Sequence, residues 1–405
     1  MTTPYSVTPG KLEKTIEVPT SKSYANRVLI LAAITPGSAT ISNIPESTDV
    51  TKMIGLLQQI GLEIEQSGST VTVKNSFPEC EKSEGQTLLT GDGGTTNRFI
   101  LPLLARGKQE YILEPEGHMR NRPMEPLTKA LKEIGVKIEV ESDKGWLSVK
   151  GPFPSEARRV EVDCKDSTQF ITGLSLASAD CELEFVPIGL DASLAYFLMT
   201  KHLIEEFKAQ QREWEIPVDF SSLGYPLALA AVSGKVSVTN CTRFDDFQAD
   251  AVFLKVLEEM GAEPVFDKSG LSLVKPEYLM PFEIDGSSCP DLVPTLAFVA
   301  AYAAGSSYIR NIEILRHKES DRVEEVLSLL KAFGIEFEFD SKTHNLIIYG
   351  NPANAGTSPA VDYNPPADHR IVMVAYLFMR MNAGGTLTNF HHVKKSFPSF
   401  FEVLG

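Results

Sequence analysis

The sequence predicts an α/β (α+β) protein of two domains, each with three copies of a helix-strand-helix-strand-strand repeat. Six segments begin with polar residues, continue as a long apolar helix and end at a turn before a strand rich in Thr, Val or Ile. The six turns lie at Gly37, Gly107, Asp180, Gly234, Gly305 and Gly384. A pattern that recurs along a whole chain in this way is typical of a fold assembled from copies of one unit.

A second motif lies between these apolar helices. It is an amphipathic helix that ends at a glycine and is followed by two strands with a polar turn. The four glycines are Gly61, Gly135, Gly261 and Gly334. A weaker copy of this motif lies near Phe207, at the position that the spacing of the repeats predicts. These observations supply the second helix and the last two strands of the repeat.

The sixth repeat is incomplete, because the chain ends soon after its second helix. The segment YSVTPGKLEKTIEV near the start of the chain could supply the missing strands. The chain would then begin in the second domain, cross to build the first and cross back. This double chain crossover predicts a first domain at residues 20–216 and a second domain formed by residues 1–19 and 217–405.

The composition limits the possible classes of protein. The 405 residues suit two domains, and 43% hydrophobic with 22% charged residues is ordinary for a globular protein. The net charge of −15 argues against a nucleic-acid partner. The longest apolar run, Leu292–Ala304, is too short to cross a membrane. The five cysteines form no CxxC pair and the first residues show no export signal, so we expect a cytoplasmic protein without a membrane partner.

Candidate anion-binding residues lie at the starts of the first two apolar helices. The segment PTSKSYANR places Lys22, Ser23 and Arg27 where backbone N–H groups and the helix dipole favour an anion. In GDGGTTNR, Gly93 and Gly94 would let backbone amides approach a ligand closely. A capped helix with surface cations and an ordinary glycine turn are the alternatives for these two segments.

Further candidates follow in the next two repeated segments. Arg122 belongs to GHMRNRP, and two arginines at a helix start could bind a carboxylate or phosphate or simply be solvated. The other side chains in this group could cap helices or donate to a ligand oxygen. They are Ser167, Thr168, Gln169, Ser193 and Tyr196.

The second half of the chain supplies acidic and basic groups together. Asp291 precedes the fifth apolar helix, where it would cap the helix or, beside a substrate hydroxyl, act as a base. RHKESDR combines Lys318, Glu319 and Arg322, and the later segments ADHR and VKKSFPSFF supply Arg370 and Lys395. Such groups can bind an anion and move a proton, although a solvated, salt-bridged helix start is the alternative. The seven histidines form no HxH or HxxxH pair, so we expect no metal site.

Taken together, these helix starts predict an active site in an interdomain cleft. If equivalent helices point the same way in each domain, their polar starts converge there. The substrate would be small and multiply anionic, and it would be enclosed by domain closure.

The order of these motifs resembles the 5-enolpyruvylshikimate-3-phosphate synthase family. PTSKSYANR, GDGGTTNR, MRNRP, STQF, PD at 290–291, KESDR, DHR and KKSFP occur in this order over nearly the whole chain. The resemblance implies a two-domain enolpyruvyl transferase-like fold. It also implies an enzyme of the shikimate pathway, which leads to chorismate and the aromatic amino acids. The reaction transfers the enolpyruvyl group of phosphoenolpyruvate to the 5-hydroxyl of shikimate 3-phosphate by addition and elimination, with phosphate as the second product. No cofactor is implied, and we expect a monomer.

The resemblance also implies roles for individual residues. The implied shikimate 3-phosphate contacts are Lys22, Ser23, Arg27, Ser167, Thr168, Gln169, Ser193, Tyr196, Asp291 and Lys318. The implied phosphoenolpyruvate contacts are Lys22, Gly94, Arg122, Gln169, Arg322, Arg370 and Lys395. The implied catalytic residues are Lys22, Asp291 and Glu319. Asp291 would accept the hydroxyl proton, Glu319 would exchange the methylene proton, and Lys22 with Lys395 would stabilise the departing phosphate.

Three residues depart from the family pattern. Asp92 and Gly93 stand where the family usually has Asn and Ala, and His317 replaces a small apolar residue. Asp92 adds a negative charge near an anionic substrate, and Gly93 loosens the turn. The sequence does not predict how this glycine turn affects inhibitors that mimic phosphoenolpyruvate.

Other functions remain alternatives at this point. The related transferase acting on UDP-N-acetylglucosamine carries a Cys or Asp in a mobile loop of its arginine-rich region, whereas GHMRNRP contains no Cys. A non-catalytic homologue that binds an anionic ligand is a second alternative, although every implied acid, base and cation is present. An RNA-processing relative is disfavoured by the acidic balance.

Overall fold

The computed structural model describes residues 3–142, 145–190 and 193–405. The chain divides into two compact units. One is the continuous stretch Thr20–Pro217, and the other combines the segment up to Pro19 with Val218–Gly405. The chain therefore passes from one unit to the other twice.

The α-helices of the described ranges alternate between long apolar helices and amphipathic helices. They are α1 (Lys22–Ala33), α2 (Thr48–Ile60), α3 (Gly94–Leu104), α4 (Glu125–Glu133), α5 (Gln169–Ala177), α6 (Leu194–Lys208), α7 (Phe220–Ser233), α8 (Val252–Glu259), α9 (Val293–Ala301), α10 (Arg322–Ala332), α11 (His369–Met381) and α12 (Phe400–Leu404). Short 3₁₀ helices occur at Gly117–Asn121, Ala249–Ala251, Glu313–His317, Pro352–Asn354 and Phe390–Lys395. The glycines that follow α2, α4, α8 and α10 all have positive φ angles, which explains why these helices stop there.

The strands of the described ranges are short and form open sheets. They are β1 (Tyr5–Val7), β2 (Glu13–Ile16), β3 (Ala39–Ser42), β4 (Ile64–Ser67), β5 (Thr70–Val73), β6 (Thr87–Gly91), β7 (Glu110–Pro115), β8 (Lys137–Ser142), β9 (Gly145–Lys150), β10 (Arg158–Asp163), β11 (Leu183–Ile188), β12 (Glu213–Glu215), β13 (Lys235–Val238), β14 (Val265–Asp267), β15 (Gly270–Val274), β16 (Glu283–Asp285), β17 (Gly305–Arg310), β18 (Glu336–Asp340), β19 (Asn345–Gly350), β20 (Val361–Tyr363) and β21 (Gly385–Leu387).

In the unit Thr20–Pro217, each repeat contributes one sheet. The strand orders are β12-β3-β5-β4, β6-β7-β9-β8 and β10-β11. The strand after each apolar helix pairs in parallel with an outer strand, as in β6 with β7 and β10 with β11. Helices α1, α3 and α5 pack against one another in the middle of this unit.

The other unit repeats the same plan. Its sheets have the strand orders β14-β15-β13-β2, β16-β17-β19-β18 and β1-β21-β20. The parallel pairs here are β2 with β13, β16 with β17 and β20 with β21. Helices α7, α9 and α11 pack against one another, as α1, α3 and α5 do in the first unit.

The six central helices are apolar on all sides because each is surrounded by protein. Every residue of α9 is buried, and in α11 every residue from His369 to Met379 is buried. A helix without a polar face is stable only in such a position. Helices α3 and α5 approach each other closely at Gly173 in α5, where a Cβ atom would lie 2.3 Å from the carbonyl oxygen of Arg98 in α3.

The predicted fold class and the repeated helices are confirmed, and the structure adds one element. The strand that follows each apolar helix pairs in parallel with a short strand at the edge of its sheet. In sequence, such a short strand lies before each apolar helix, so the repeat begins one strand earlier than its sequence pattern indicates. The start of the chain supplies only one strand to the sixth repeat, since β1 pairs with β21. Strand β2 instead joins the fourth repeat beside β13, and β12 joins the first repeat beside β3.

Candidate functional site

The start of α1 presents a cation held by a buried acid. Ser21 caps the helix, and its hydroxyl accepts from the backbone N–H of Tyr24. The Nζ atom of Lys22 lies 2.9 Å from Oδ2 of Asp49, and both side chains are largely buried. Asp49 belongs to the first turn of α2, so this ion pair brings the starts of α1 and α2 together.

The start of α3 is a glycine turn that lies against two charged groups. A Cβ atom on Gly93 would lie 3.1 Å from Oδ1 of Asp49. A Cβ atom on Gly94 would lie only 2.5 Å from Nη1 of Arg122. The absence of side chains at these two glycines therefore lets both charged groups approach the first turn of α3.

The start of α5 is joined to α3 by a buried arginine. Arg98 donates from Nη1 to Oγ of Ser167 at 3.2 Å and to Oε1 of Gln169 at 2.9 Å. Gln169 donates from Nε2 to Oγ1 of Thr95 at 3.1 Å. The Arg98 side chain also lies over the Phe170 ring, with 4.8 Å from Cζ to the ring centroid. Arg98 thus fixes the orientation of the Gln169 amide.

Arg27 connects α1 to α6. It donates from Nε to Oγ1 of Thr200 at 2.9 Å and from Nη1 to the carbonyl oxygen of Ser23 at 2.7 Å. It also donates from Nη2 to the carbonyl oxygen of Tyr196 at 3.2 Å. Burial lowers the pKa of Arg27 to about 10, which leaves the guanidinium charged at neutral pH. Ser193 begins this helix with a positive φ of 58°.

In the other unit, Arg322 lies among three carboxylates at the start of α10. Its Nε atom lies 2.7 Å from Oδ2 of Asp368, and Nη2 lies 2.7 Å from Oε2 of Glu319. Its Nη1 atom lies 2.8 Å from Oδ1 of Asp291. The Arg322 side chain is only 1% exposed. Asp368 is fully buried, whereas Asp291 and Glu319 are partly buried. The three carboxylates can lie so close together because the guanidinium neutralises part of their charge.

Asp291 is shared by two further cations. Its Oδ2 atom lies 2.7 Å from Nη2 of Arg370, and its Oδ1 atom lies 4.0 Å from Nζ of Lys318. Arg370 also reaches the hydroxyl of Tyr225 in α7 at 3.4 Å. The segment before α9 and the starts of α10 and α11 therefore meet at this carboxylate, and α7 joins them through the contact of Tyr225 with Arg370.

The charges around Asp291 determine its protonation. Burial alone would raise its pKa, but Arg370, Lys318 and Arg322 outweigh burial and hold the pKa of Asp291 below its usual range. For Arg322, burial would lower the pKa, but Asp368, Glu319 and Asp291 raise it above its usual value. The Asp291 carboxylate and the Arg322 guanidinium are thus both charged at neutral pH.

The start of α7 combines an acidic cap with two hydroxyl groups, one of which reaches a buried acid of another segment. The cap Asp219 accepts at Oδ2 from the backbone N–H of Ser222 at 3.1 Å and from its hydroxyl at 2.6 Å. The Ser221 hydroxyl donates to Oδ2 of Asp250, a carboxylate that is 2% exposed. Gln248 accepts at Oε1 from the backbone N–H of Phe220 at 3.0 Å, which fastens the Asp250 segment to α7.

Lys395 lies at the end of the 3₁₀ helix Phe390–Lys395 and is 5% exposed. The aromatic residues that follow it anchor this segment in the core of its unit. Phe397 contacts Phe400 with 5.5 Å between ring centroids, and Phe400 contacts Tyr225 at 5.8 Å. Tyr225 also contacts Arg370, so the segment that carries Lys395 is linked to Arg370 through Phe400 and Tyr225.

The candidate residues fall into two sets, one in each unit. The first set consists of Lys22, Ser23, Arg27, Gly94, Arg122, Ser167, Thr168, Gln169, Ser193 and Tyr196. The second set consists of Asp291, Lys318, Glu319, Arg322, Arg370 and Lys395. The contacts above connect the starts of α1, α2, α3 and α5 in one unit, and those of α7, α10 and α11 with the Asp291 segment in the other.

The helix-cap alternative does not hold for two of the candidate residues. Asp291 does not cap the fifth apolar helix, because α9 begins at Val293 after Leu292 and the carboxylate is held by arginines instead. Thr168 precedes α5 without a side-chain cap, and it is Ser167 that accepts from the backbone N–H of Gln169, at 3.2 Å. In both cases a polar residue near a helix start serves a tertiary contact or a neighbouring N–H.

Three acids and a phenol that contact the candidate residues, or interact with their charges, were not among the predicted site residues. They are Asp49, Asp250, Asp368 and Tyr225. Asp49 had no distinct signal, because an acid in the first turn of an amphipathic helix is ordinary. Asp368 was visible in ADHR, and it caps α11 by accepting from the backbone N–H of Arg370 at 3.0 Å. Its second contact, with Arg322, depends on tertiary structure.

The two sets suit charge binding and proton transfer. Over the residues that the structure describes, no group of three or more His, Cys, Asp and Glu side chains is arranged to hold a metal ion. None of the described helices has the length and apolar character that a membrane crossing requires. The arrangement instead offers cations, backbone amides and ionised acids at helix starts, which bind anions and exchange protons.

Comparison with known sequences identifies related proteins along the whole chain. A sequence model of the EPSP synthase (3-phosphoshikimate 1-carboxyvinyltransferase) family matches residues 7–404. A 3-phosphoshikimate 1-carboxyvinyltransferase of Thermococcus kodakarensis is 35% identical over 408 residues, which cover 96% of each chain. The enzyme of the same name from Syntrophobacter fumaroxidans is 32% identical over 412 residues, again covering 96% of each chain.

Solved structures share the fold. The EPSP synthase of Acinetobacter baumannii superposes with a TM-score of 0.77 at 22% identity, covering 98% of this chain and 96% of that one. The enolpyruvyl transferase NikO of Streptomyces tendae superposes with a TM-score of 0.75 at 16% identity, with the same coverage of 98% and 96%. At these identities the two structures support the architecture alone.

Proposed function

Because the chain belongs to the EPSP synthase family, we propose that its two sets of helix-start residues together catalyse enolpyruvyl transfer from phosphoenolpyruvate to the 5-hydroxyl of shikimate 3-phosphate. The observation that carries this proposal is the Asp291 carboxylate, which is shared by Arg322 and Arg370 and lies in the same cluster as Glu319. Two guanidinium groups can bind an anionic substrate while two carboxylates handle protons beside it.

The proposed reaction needs one proton acceptor and one proton exchanger. Asp291 accepts the proton of the 5-hydroxyl as that oxygen bonds to the central carbon of phosphoenolpyruvate. Glu319 delivers a proton to the methylene carbon, which gives a tetrahedral adduct. In the second step Glu319 removes a methyl proton, the bond to the phosphate oxygen breaks, and phosphate leaves with its electron pair. The proton held by Asp291 passes to the departing phosphate or to solvent, so both acids return to their starting states. Lys22 and Lys395 stabilise the charge on the departing phosphate.

The remaining candidate residues hold the substrates in this proposal. Lys22, Ser23, Arg27, Ser167, Thr168, Gln169, Ser193, Tyr196, Asp291 and Lys318 contact shikimate 3-phosphate. Lys22, Gly94, Arg122, Gln169, Arg322, Arg370 and Lys395 contact phosphoenolpyruvate. The contacts within each unit support this assignment, since Gly94 lies against Arg122 and Gln169 is oriented by Arg98. That both sets serve one interdomain active site stays a prediction, as do a monomeric state and a cytoplasmic location.

Two measurements test the function. Calorimetry with shikimate 3-phosphate, followed by phosphoenolpyruvate, should give heat in both steps, and phosphate release should require both substrates. UDP-N-acetylglucosamine should not replace shikimate 3-phosphate as acceptor in the phosphate-release assay. Phosphate release from phosphoenolpyruvate with UDP-N-acetylglucosamine as the only acceptor would assign the chain to the sister reaction. Binding of both substrates without phosphate release would indicate a non-catalytic homologue.

A further inference from the structure

Asp250 is a buried acid beside the candidate site that the proposed reaction does not use. Its carboxylate is 2% exposed and accepts a hydrogen bond from Ser221 in the first turn of α7. One turn further along α7, Tyr225 contacts Arg370, with 3.4 Å from its hydroxyl to Nη1. Asp250 therefore contacts the same helix, α7, that also contacts Arg370. The proposed function assigns Arg370 a contact with phosphoenolpyruvate.

The internal repeat gives Asp250 a counterpart at the other candidate set. Asp49 is the second residue after Ser47, which caps α2, and Asp250 is the second residue after Gln248, which begins the equivalent helical segment. Asp49 contacts the first turn of α1 through Lys22, and Asp250 contacts the first turn of α7 through Ser221. The same position thus carries a buried acid in both units, but only Asp49 forms its contact with a cation in that first turn.

The charged groups around Asp250 come from three elements. Arg370 belongs to α11, Asp219 caps α7, and Asp291 and the Cys289 thiol lie in the segment before α9. Burial raises the pKa of Asp250 to about 6; the charge of Arg370 opposes this rise and the Asp291 charge reinforces it, with Asp219 adding a smaller increase. Burial likewise raises the pKa of Cys289 to about 12, and Asp250 contributes to that rise, so the thiol stays protonated.

We propose, on the basis of the proposed function, that Asp250 is a positioning residue that couples anion binding at Arg370 to the uptake of a proton. In the empty site, the charge of Arg370 helps to keep the Asp250 carboxylate ionised. An anion bound by Arg370 offsets that charge, so burial and the neighbouring carboxylates then favour the protonated carboxyl group. Protonation removes a negative charge that would repel the bound anion, and Ser221 holds the carboxyl group in place through both states.

Calorimetry tests this coupling directly. Phosphoenolpyruvate is titrated into the enzyme with shikimate 3-phosphate present, at about pH 7, in buffers of different ionisation enthalpy. The buffer dependence of the heat gives the number of protons taken up. The wild type should take up more protons than Asp250→Asn, and the phosphate groups of the ligands contribute equally to both, so they cancel in the difference.

The pH dependence of affinity provides a second readout. The ratio of wild-type to Asp250→Asn affinity for phosphoenolpyruvate should fall by roughly threefold to tenfold between acidic and alkaline pH across the titration of Asp250. Asp246→Asn removes the same charge from an exposed position of the same loop and should leave both readouts as in the wild type. Ser221→Ala keeps the carboxylate but removes its hydrogen bond, so proton uptake should persist and its midpoint should move to higher pH.

The possible outcomes are separable. A merely structural Asp250 would give an Asn variant with an equal affinity loss at every pH and an unchanged proton count, and this result would overturn the coupling. Absence of binding heat in the wild type would contradict the proposed function itself. Folding of the variant is checked by thermal unfolding at about pH 8. The wild type carries the penalty of a buried ionised carboxylate there, so Asp250→Asn should be at least as stable.

Discussion

The Arg370 guanidinium and the Asp291 carboxylate form a 2.7 Å ion pair that joins the start of α11 to the segment before α9. Arg322 binds the other oxygen of the same carboxylate from the start of α10, at 2.8 Å. One acid thus fixes the relative positions of two arginines that come from different repeats. Its replacement should therefore affect both stability and catalysis.

The Asp291→Asn variant should be less stable than the wild type at neutral pH. The folded protein holds the pKa of Asp291 below its usual range, so its ionised form contributes stability above the unfolded-state pKa. That contribution is lost as the pH falls through the folded-state pKa. We expect a loss of about 1–3 kcal/mol at pH 7 from urea unfolding, less than for a fully buried ion pair. The difference should stay constant down to about pH 5 and shrink below about pH 4.

Glu283→Gln is a suitable control for that measurement. Glu283 forms an ion pair with Arg310 in the same unit, but both side chains are exposed. The variant should unfold like the wild type throughout this pH range. A loss in Asp291→Asn that is independent of pH down to acid conditions would show that the shape of the side chain, and not its charge, stabilises the cluster.

The Glu319→Gln variant should bind both substrates but lose turnover. The amide keeps the shape of the carboxylate and can still accept from Arg322, which lies 2.7 Å away. It cannot exchange a proton with carbon, so kcat should fall by at least about a hundredfold, with KM changed by less than about threefold. Steady-state kinetics and calorimetry measure the two effects. Glu324→Gln is the control, since Glu324 is 63% exposed and pairs with Arg316 away from Asp291. Full activity in Glu319→Gln would refute the assigned role.

The Gly94→Ala variant should weaken phosphoenolpyruvate binding. The added methyl group would lie 2.5 Å from Nη1 and 2.8 Å from Cζ of Arg122, so the guanidinium must move. We expect KM for phosphoenolpyruvate to rise by about tenfold, because a displaced charge-assisted contact is worth on the order of 1.4 kcal/mol. The affinity for shikimate 3-phosphate alone, measured by calorimetry, should not change. An unchanged KM for phosphoenolpyruvate would place Arg122 outside the phosphoenolpyruvate contacts.

The Gly173→Ala variant should be destabilised through the packing of α5 on α3. Its Cβ atom would lie 2.3 Å from the carbonyl oxygen of Arg98, and backbone cannot yield as a flexible side chain does. We expect a loss of about 1–3 kcal/mol in the free energy of unfolding. Gly55→Ala is the matched control, because Gly55 is also in a helix and no atom lies within 4 Å of the added methyl group. That variant should gain roughly 0.5–1 kcal/mol. Equal effects of the two substitutions would contradict close packing at Gly173.

The parts of the fold that local pattern encodes were predictable. The apolar helices, the amphipathic helices and their glycine stops follow from composition and period, which depend on neighbouring residues alone. The outer strand of each repeat was missed because strands such as β12 and β16 have only three residues and acids at both ends. Such a strand forms because a partner strand offers hydrogen bonds, and that partner is remote in sequence for β12 and β2.

The candidate site was predictable only as a list of helix starts. Motif resemblance proposed the cations and two of the acids, Asp291 and Glu319. The sharing of Asp291 between Arg322 and Arg370 depends on how α9, α10 and α11 pack. Because of the same packing, Asp291 forms ion pairs with arginines and does not cap α9. Tyr225 illustrates the limit well, because a tyrosine in an apolar helix has no local feature that indicates contact with an arginine from another repeat.

The exchange of β2 and β12 between repeats has a consequence for synthesis on the ribosome. The stretch Thr20–Pro217 contains every strand of its own sheets and can begin to fold while the rest of the chain is still being made. Strand β2 emerges before this stretch, yet its partner β13 begins only at Lys235. Strand β2 must therefore remain unpaired, joined to a unit that has begun to fold, until β13 has left the exit tunnel.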